Sequence, residues 1–223
     1  MQLLLAPLVP YMDIRAPPTV FGVSGYSGAG TVFTNDPDGR PVTLPRVNPT
    51  DLHGGNGLRP YSLTDHIHER ETSVRLSRLV DHSPTNPHFA KPTSELDVET
   101  DPLAERALEH ADKPLRIAFV PVVAPWFSGI ISTASVPLAQ VAVERGMGAR
   151  EFKALYEERY GGEKLVKILD KGPEVGDVEG QHGWVLGGMQ VHSSGERIVA
   201  VGGLDNLLKG AAGQCLQVRS KVR

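Results

Sequence analysis

Apolar residues along this chain fall into two kinds of run. Near-continuous or alternating runs predict strands over 19–23, 58–63, 115–124, 127–138, 164–169, 184–192 and 196–201, the run at 115–124 being the strongest. Helical spacing predicts three helices before the last segment. Leu3, Leu4, Leu5 and Leu8 form the apolar side of a first helix that Pro10 ends. Val74, Leu76, Leu79 and Val80 are the residues available for burial in a helix over 69–80, and Phe152, Leu155, Tyr156 and Tyr160 line one side of a helix over 150–160. After Gly202 and Gly203, a final helix is predicted, because Leu204, Leu207, Leu208, Ala211, Ala212, Cys215 and Leu216 recur at i, i+3, i+4, i+7. Ser193-Ser194-Gly195 predicts a hairpin turn between the last two strands. Residues 35–56 read as a proline- and glycine-rich loop. Residues 81–113 offer little to bury and read as a flexible insertion with a short helix over 103–111. Strands outnumber helices and several connections are of hairpin length. The predicted class is therefore α+β, a mostly antiparallel mixed sheet with helices on one face.

Composition narrows the function classes. At 223 residues the chain fits one domain, or one and a fraction. A formal charge of −3 without a basic stripe argues against a general nucleic-acid binder. The single cysteine, Cys215, rules out an intramolecular disulfide and hence a disulfide scaffold. It falls on the apolar stripe of the predicted last helix, where a thiol is usually inert packing; a nucleophile is the other reading. No apolar run reaches transmembrane length, so no membrane role is expected. The first ten residues have the apolar look of a signal segment. They carry no basic start and contain two prolines, so they read as the opening turns of a buried helix. A chain that opens on core-type sequence is expected to have lost something upstream.

Candidate chemistry concentrates in Tyr61-Ser-Leu-Thr-Asp-His66-Ile-His68-Glu-Arg70-Glu71, which joins a predicted strand to a predicted helix. His68 and Glu71 are three apart, so on a helix that opens near Glu69 both point into one cleft and Glu71 can fix the imidazole's orientation. A solvated helix start, with acidic residues favoured by the helix dipole, is the competing reading. A metal site on His66 and His68 is a third, and it lacks a third ligand. Ser24-Gly-Tyr-Ser27-Gly28-Ala-Gly30 follows the first strand; its glycines and hydroxyls suit backbone approach to a phosphate or dinucleotide, or form a plain glycine-rich turn. It is not the G-x-G-x-x-G fingerprint.

Three stretches together resemble the N-acetyl-gamma-glutamyl-phosphate reductase family, relatives of the glyceraldehyde-phosphate and aspartate-semialdehyde dehydrogenases. They are Gly22-Val-Ser-Gly-Tyr-Ser-Gly-Ala-Gly30, Leu63-Thr-Asp-His-Ile-His-Glu-Arg-Glu71 and Leu204-Asp-Asn-Leu-Leu-Lys-Gly-Ala-Ala-Gly-Gln214. Pro121-Val-Val-Ala-Pro-Trp-Phe-Ser-Gly-Ile130 and Gln190-Val-His-Ser-Ser-Gly195 resemble the fungal form in particular. The resemblance implies NADP(H)-dependent reduction of N-acetyl-glutamyl phosphate to the semialdehyde in arginine biosynthesis. In that chemistry a cysteine thiolate attacks the acyl phosphate, hydride reduces the thioester, and a histidine that matches His68 serves as acid/base. The resemblance further implies that Tyr61, Arg70 and Glu71 are substrate-side groups, and that Ser24, Gly25, Ser27, Gly28 and Asn206 lie against the cofactor. It implies a homo-oligomer, an acetylglutamate kinase as partner or fusion, no metal, and a mitochondrial compartment. The fold it implies is that of a glyceraldehyde-3-phosphate-dehydrogenase-like C-terminal domain. Residues 1–202 would form the substrate-binding and dimerisation domain, and 203–223 a helix belonging to a Rossmann domain that this sequence lacks. The family's nucleophilic cysteine, expected just before Met1, is lacking too; the 81–113 segment and the tail after Gln217 also depart from its pattern. A non-catalytic dimerisation or regulatory module, and a fragment of a sister acyl-phosphate dehydrogenase, are the alternatives. Such a chain alone is expected to be inactive, and poorly soluble or obligately dimeric.

Overall fold

The computed structural model of the chain describes residues 1–80 and 115–213. The segment predicted as an insertion, its short helix and Cys215 lie outside the described residues.

A seven-stranded sheet dominates, in the order β4-β5-β1-β6-β9-β8-β7. Its members are β1 (Thr19–Gly25), β4 (Arg59–Pro60), β5 (Ala118–Ala124), β6 (Ile130–Pro137), β7 (Val166–Ile168), β8 (Trp184–Val191) and β9 (Arg197–Leu204). The β1–β5 and β7–β8 pairs are parallel and the rest antiparallel. Parallel pairing of β1 with β5 needs a long crossover, and the chain between them supplies it. The turn predicted at 193–195 closes the β8–β9 hairpin, with the His192 N–H donating to Arg197 O (2.8 Å).

Phe119, Val20, Ala134 and Ala200 stand side by side across β5, β1, β6 and β9 on the face that the larger helices cover. Those helices are α1 (Gln2–Leu5) with its 3₁₀ continuation Ala6–Tyr11, α2 (Ile67–Val80) and α4 (Ala149–Tyr160). The first helix changes geometry where proline enters. Pro7 has no N–H to give the Leu3 carbonyl, and the Tyr160 hydroxyl donates to it instead (2.9 Å). Leu4, Leu5, Leu8, Phe152 and Tyr156 are sealed in this layer, as their spacing predicts. In α2, Leu76 is buried whereas Val74 is exposed, because it falls outside the inward stripe. The short helices α3 (Gln140–Glu144) and α5 (Val175–Val178) carry too few periodic residues to be read from sequence. α5 lies on the opposite face of the sheet, against Gly129 and Gly203, so that face is not entirely helix-free. Beyond α5, Phe21 stands 44% exposed on it, with Thr133 and Val201 half-buried on neighbouring strands.

Three local predictions are corrected. Residues 35–56 are not plain loop, since β2 (Thr31–Asn35) and β3 (Pro41–Pro45) form a hairpin. Its turn is organised by Asp36, whose carboxylate accepts from the Asp38 and Arg40 N–H groups, with Gly39 at φ +80°. The strand expected over 58–63 is reduced to Arg59–Pro60, with the Tyr61 N–H still donating to Pro121 O (3.1 Å), after which positive φ at Ser62 and Asp65 turns the chain away. The last helix does not start after Gly202-Gly203. Both glycines lie inside β9, where a Cβ on Gly203 would sit 2.7 Å from Ile131 Cδ1 and 3.0 Å from Ile130 O. A turn follows, then a π-helical turn, Leu208–Ala212.

Candidate active site

The start of α2 is built by its own side chains. His66 Nδ1 accepts the His68 backbone N–H (3.2 Å), capping a helix donor that would otherwise be unpaired. Glu69 reaches across to β5, where its Oε2 accepts the Phe119 N–H (2.9 Å). The His66 ring also stands edge-on to Phe119, with centroids 5.2 Å apart, and Tyr61 packs edge-on against His66 at 5.8 Å. The helix start is thereby pinned to the sheet on two sides.

His68 Nδ1 lies 3.0 Å from Glu71 Oε2, with both side chains more than half exposed. A carboxylate at Nδ1 selects the tautomer with the proton there, leaving Nε2 as the acceptor. Thus the structure brings His68 and Glu71 together as their spacing predicts, with the imidazole more than half exposed. The His66 imidazole, 5.0 Å away, is pushed below its ordinary pKa by partial burial and then by the charge of His68, against the opposing pull of Glu69 and Glu71. Partial burial likewise pushes the Tyr61 hydroxyl above its ordinary value. Arg70 is exposed and two residues from His68, so the helix turns it away from the imidazole. Among the described residues no group of three His, Cys, Asp or Glu is placed to hold a metal ion.

The second cluster lies at the far end of β1. Phe119 pairs with Val20 while Ala124 pairs with Gly25, five residues on, which separates the two clusters by about 16 Å along the strand. Here the Gly25, Tyr26 and Ser27 N–H groups donate to the Gly129, Trp126 and Phe127 carbonyls at 2.9, 3.0 and 3.1 Å. These amides are engaged within the protein and form no phosphate cradle. The glycines have a packing reason as well. A Cβ on Gly25 would lie 2.6 Å from Phe127 O, and one on Gly28 would lie 2.6 Å from Ser24 Oγ and 2.8 Å from Asn206 Nδ2. The Ser24 hydroxyl donates to Gly25 O (2.9 Å). Asn206 Oδ1 accepts the Gly129 N–H (2.7 Å), and Asn206 Nδ2 donates to Ser27 Oγ (2.9 Å). Ser24, Gly25, Ser27, Gly28 and Asn206 are therefore brought together, but against one another. This cluster, taken alone, does not fit a nicotinamide dinucleotide.

Asp205 is the residue that the sequence reading missed here. It is 2% exposed, and its carboxylate accepts from Ser128 Oγ, Gly180 N, Leu207 N and Leu208 N. Burial pushes this carboxyl up, but the four hydrogen bonds outweigh it and hold its pKa below 3.8. An Asp directly ahead of a helical stretch is an N-cap signal, which was available in the sequence.

The family model described as semialdehyde dehydrogenase, dimerisation domain, matches residues 1–94 and 102–206. The chain belongs to this family. An N-acetyl-gamma-glutamyl-phosphate reductase of Xanthomonas axonopodis pv. citri is 35% identical over 217 residues, covering 97% of this chain and 51% of that protein. "Protein arg-6, mitochondrial" of Neurospora crassa is 40% identical over 216 residues, 97% of this chain and 18% of that protein. The chain thus spans about half the length of the bacterial relative and less than a fifth of the fungal one. The solved aspartate semialdehyde dehydrogenase II from Vibrio cholerae shares the fold, with a TM-score of 0.51, 16% identity and coverage of 99% of this chain and 58% of that one. The resemblance read from the motifs and the α+β class both stand. No helix among the described residues is long and apolar enough to cross a membrane.

Proposed function

We propose that this chain is the substrate-side and dimerisation portion of an N-acetyl-gamma-glutamyl-phosphate reductase, acting in arginine biosynthesis, with His68 as its acid/base. The observation that carries this reading is the exposed His68–Glu71 pair, held by a helix start pinned to β5. In the reaction of an acyl phosphate with a thiolate, a C–S bond forms and the C–O bond to phosphate breaks. His68 Nε2 is suited to take the thiol proton and to return it to a leaving or developing oxygen, while Glu71 stabilises the imidazolium. Of the substrate-side groups, Glu71 pairs with the His68 imidazole and Tyr61 packs edge-on against His66; an Arg70 contact belongs to a different side of α2. Electrons for the reduction come from NADP(H) in this reading, and the Ser24–Gly28 cluster, closed on itself, offers no cradle for it. The sequence's single cysteine is Cys215, so the nucleophile is not assigned to any described residue. The mitochondrial compartment and an acetylglutamate kinase partner are carried with the likeness to the fungal relative, whose greater length leaves room for a second activity.

The test is an assay of the protein at its full natural length for NADPH oxidation with N-acetyl-glutamyl phosphate and with aspartyl phosphate. Turnover of the acetylated substrate at a kcat/KM at least about 100-fold higher supports the proposal. Preference for aspartyl phosphate assigns a sister dehydrogenase instead. No turnover of either leaves the second reading, a self-associating module, which the half-exposed Phe21 face of the sheet favours.

A further inference from the structure

The buried Asp205 carboxylate has more partners than a helix cap requires. A cap needs an oxygen for the free N–H groups of the first turn, and Oδ1 meets that need with Leu207 and Leu208, both at 2.8 Å. Oδ2 turns away from the helix. It accepts from Ser128 Oγ at 3.0 Å and from Gly180 N at 2.9 Å, groups 77 and 25 residues away in sequence. A carboxylate offers about four lone-pair directions, and all four have donors here. Such a group is tolerated without water because every acceptor site is filled, and for the same reason it fixes everything that fills it.

Two routes lead from it to the same residue. Along the first, the turn held by Oδ1 presents Asn206, whose amide clamps Gly129 N on one side and Ser27 Oγ on the other. Along the second, Ser128 sits beside Phe127, whose carbonyl accepts the Ser27 N–H (3.1 Å). Gly28 closes the ring, passing so near Asn206 that a Cβ there would lie 2.8 Å from Nδ2.

We infer that Asp205 is a positioning residue of the second cluster: acting through Asn206 and Ser128, it sets the conformation of the Ser24–Gly28 segment, and Asn206 is a clasp within the protein. The functional consequence of this clasp rests on the reductase reading; the structural one does not. Asp205→Asn keeps the shape but places an NH₂ group opposite donors. The Ser128 hydroxyl can rotate to accept from it, whereas the Gly180, Leu207 and Leu208 N–H groups cannot.

Hydrogen exchange followed by mass spectrometry, on the protein at full length, tests this. D205N and N206A are expected to speed exchange in peptides covering 24–30 and 126–130 about tenfold or more, with the α2 peptide unchanged. S128A cuts only the Oδ2 route and is expected to give a smaller increase at 24–30. An unchanged 24–30 peptide in D205N that still melts cooperatively overturns the inference and makes Asp205 a cap only. If D205N does not fold, S128A and N206A decide, and no change at 24–30 in either overturns it. A wild-type protein without activity removes the reductase reading while the exchange result still judges the clasp.

Discussion

Two histidines two residues apart take different parts because their surroundings differ. His68 is exposed and oriented by Glu71, while His66 is tucked against Phe119 and Tyr61 and caps α2 through Nδ1. Only a neutral imidazole can accept that hydrogen bond, and burial lowers the His66 pKa below 6.5. The unfolded chain therefore binds the proton more readily than the folded one. Stability from this site is present above pH 6.5 and is lost as pH falls through the folded value. His66→Asn keeps a cap acceptor without titrating. Denaturant midpoints at pH 7.5 and 5.5 should differ less in the variant than in the wild type; an equal difference contradicts this account of His66. Of these residue roles, the His68–Glu71 pairing was legible as i, i+3 spacing. The anchor Glu69–Phe119 was not, since a contact between residues 50 apart leaves no local pattern. For Ser24–Gly30, glycine content alone could not separate an anion cradle from close packing against 126–129. Both require glycine, and only the bonding of the amides tells them apart.

At the scale of elements, one glycine is the sharpest test of the loop. Gly28→Ala forces a Cβ within 2.6 Å of Ser24 Oγ and 2.8 Å of Asn206 Nδ2. It should cost about 1–3 kcal/mol in urea unfolding, as overpacking does. A variant as stable as the wild type contradicts the packing described for that loop. Asp205 makes its own pH window. Its carboxyl is held below 3.8, so its contribution is complete above that value and lost as pH falls further below it. Acid unfolding of D205N should consequently be less steep below pH 4 than that of the wild type. Strong periodicity gave α4 and the strands β5, β6, β8 and β9 nearly as they are. The β2–β3 hairpin was concealed by the prolines and glycines around it, although the Asp36–Gly39 turn between alternating apolar residues carried its signal. Gly202 and Gly203 misled in the other direction. They look like a break before a helix and are instead small residues in a strand pressed from both faces, by Leu4 and Trp184 on one side and Ile131 and Val178 on the other.

Across the whole molecule, the two faces of the sheet differ in how they are covered. One carries α1, α2 and α4 over a sealed core; the other keeps Phe21 44% exposed beside half-buried Val201 and Thr133. Phe21→Lys should shift the protein toward monomer in sedimentation velocity while its far-ultraviolet spectrum is retained; an unchanged mass places self-association elsewhere. In the sequence the runs at 19–23 and 127–138 read as strands without separating their two faces, because the exposure of Phe21 depends on what packs over the sheet and not on local pattern.

The role proposed for His68, held by Glu71, is to move the proton in acyl-phosphate reduction. Its most direct test is kcat for the full-length wild type, H68Q and E71Q with N-acetyl-glutamyl phosphate. A loss of about 10²–10⁴-fold is expected for H68Q with KM little changed, and a smaller loss for E71Q. A fully active H68Q enzyme would contradict it.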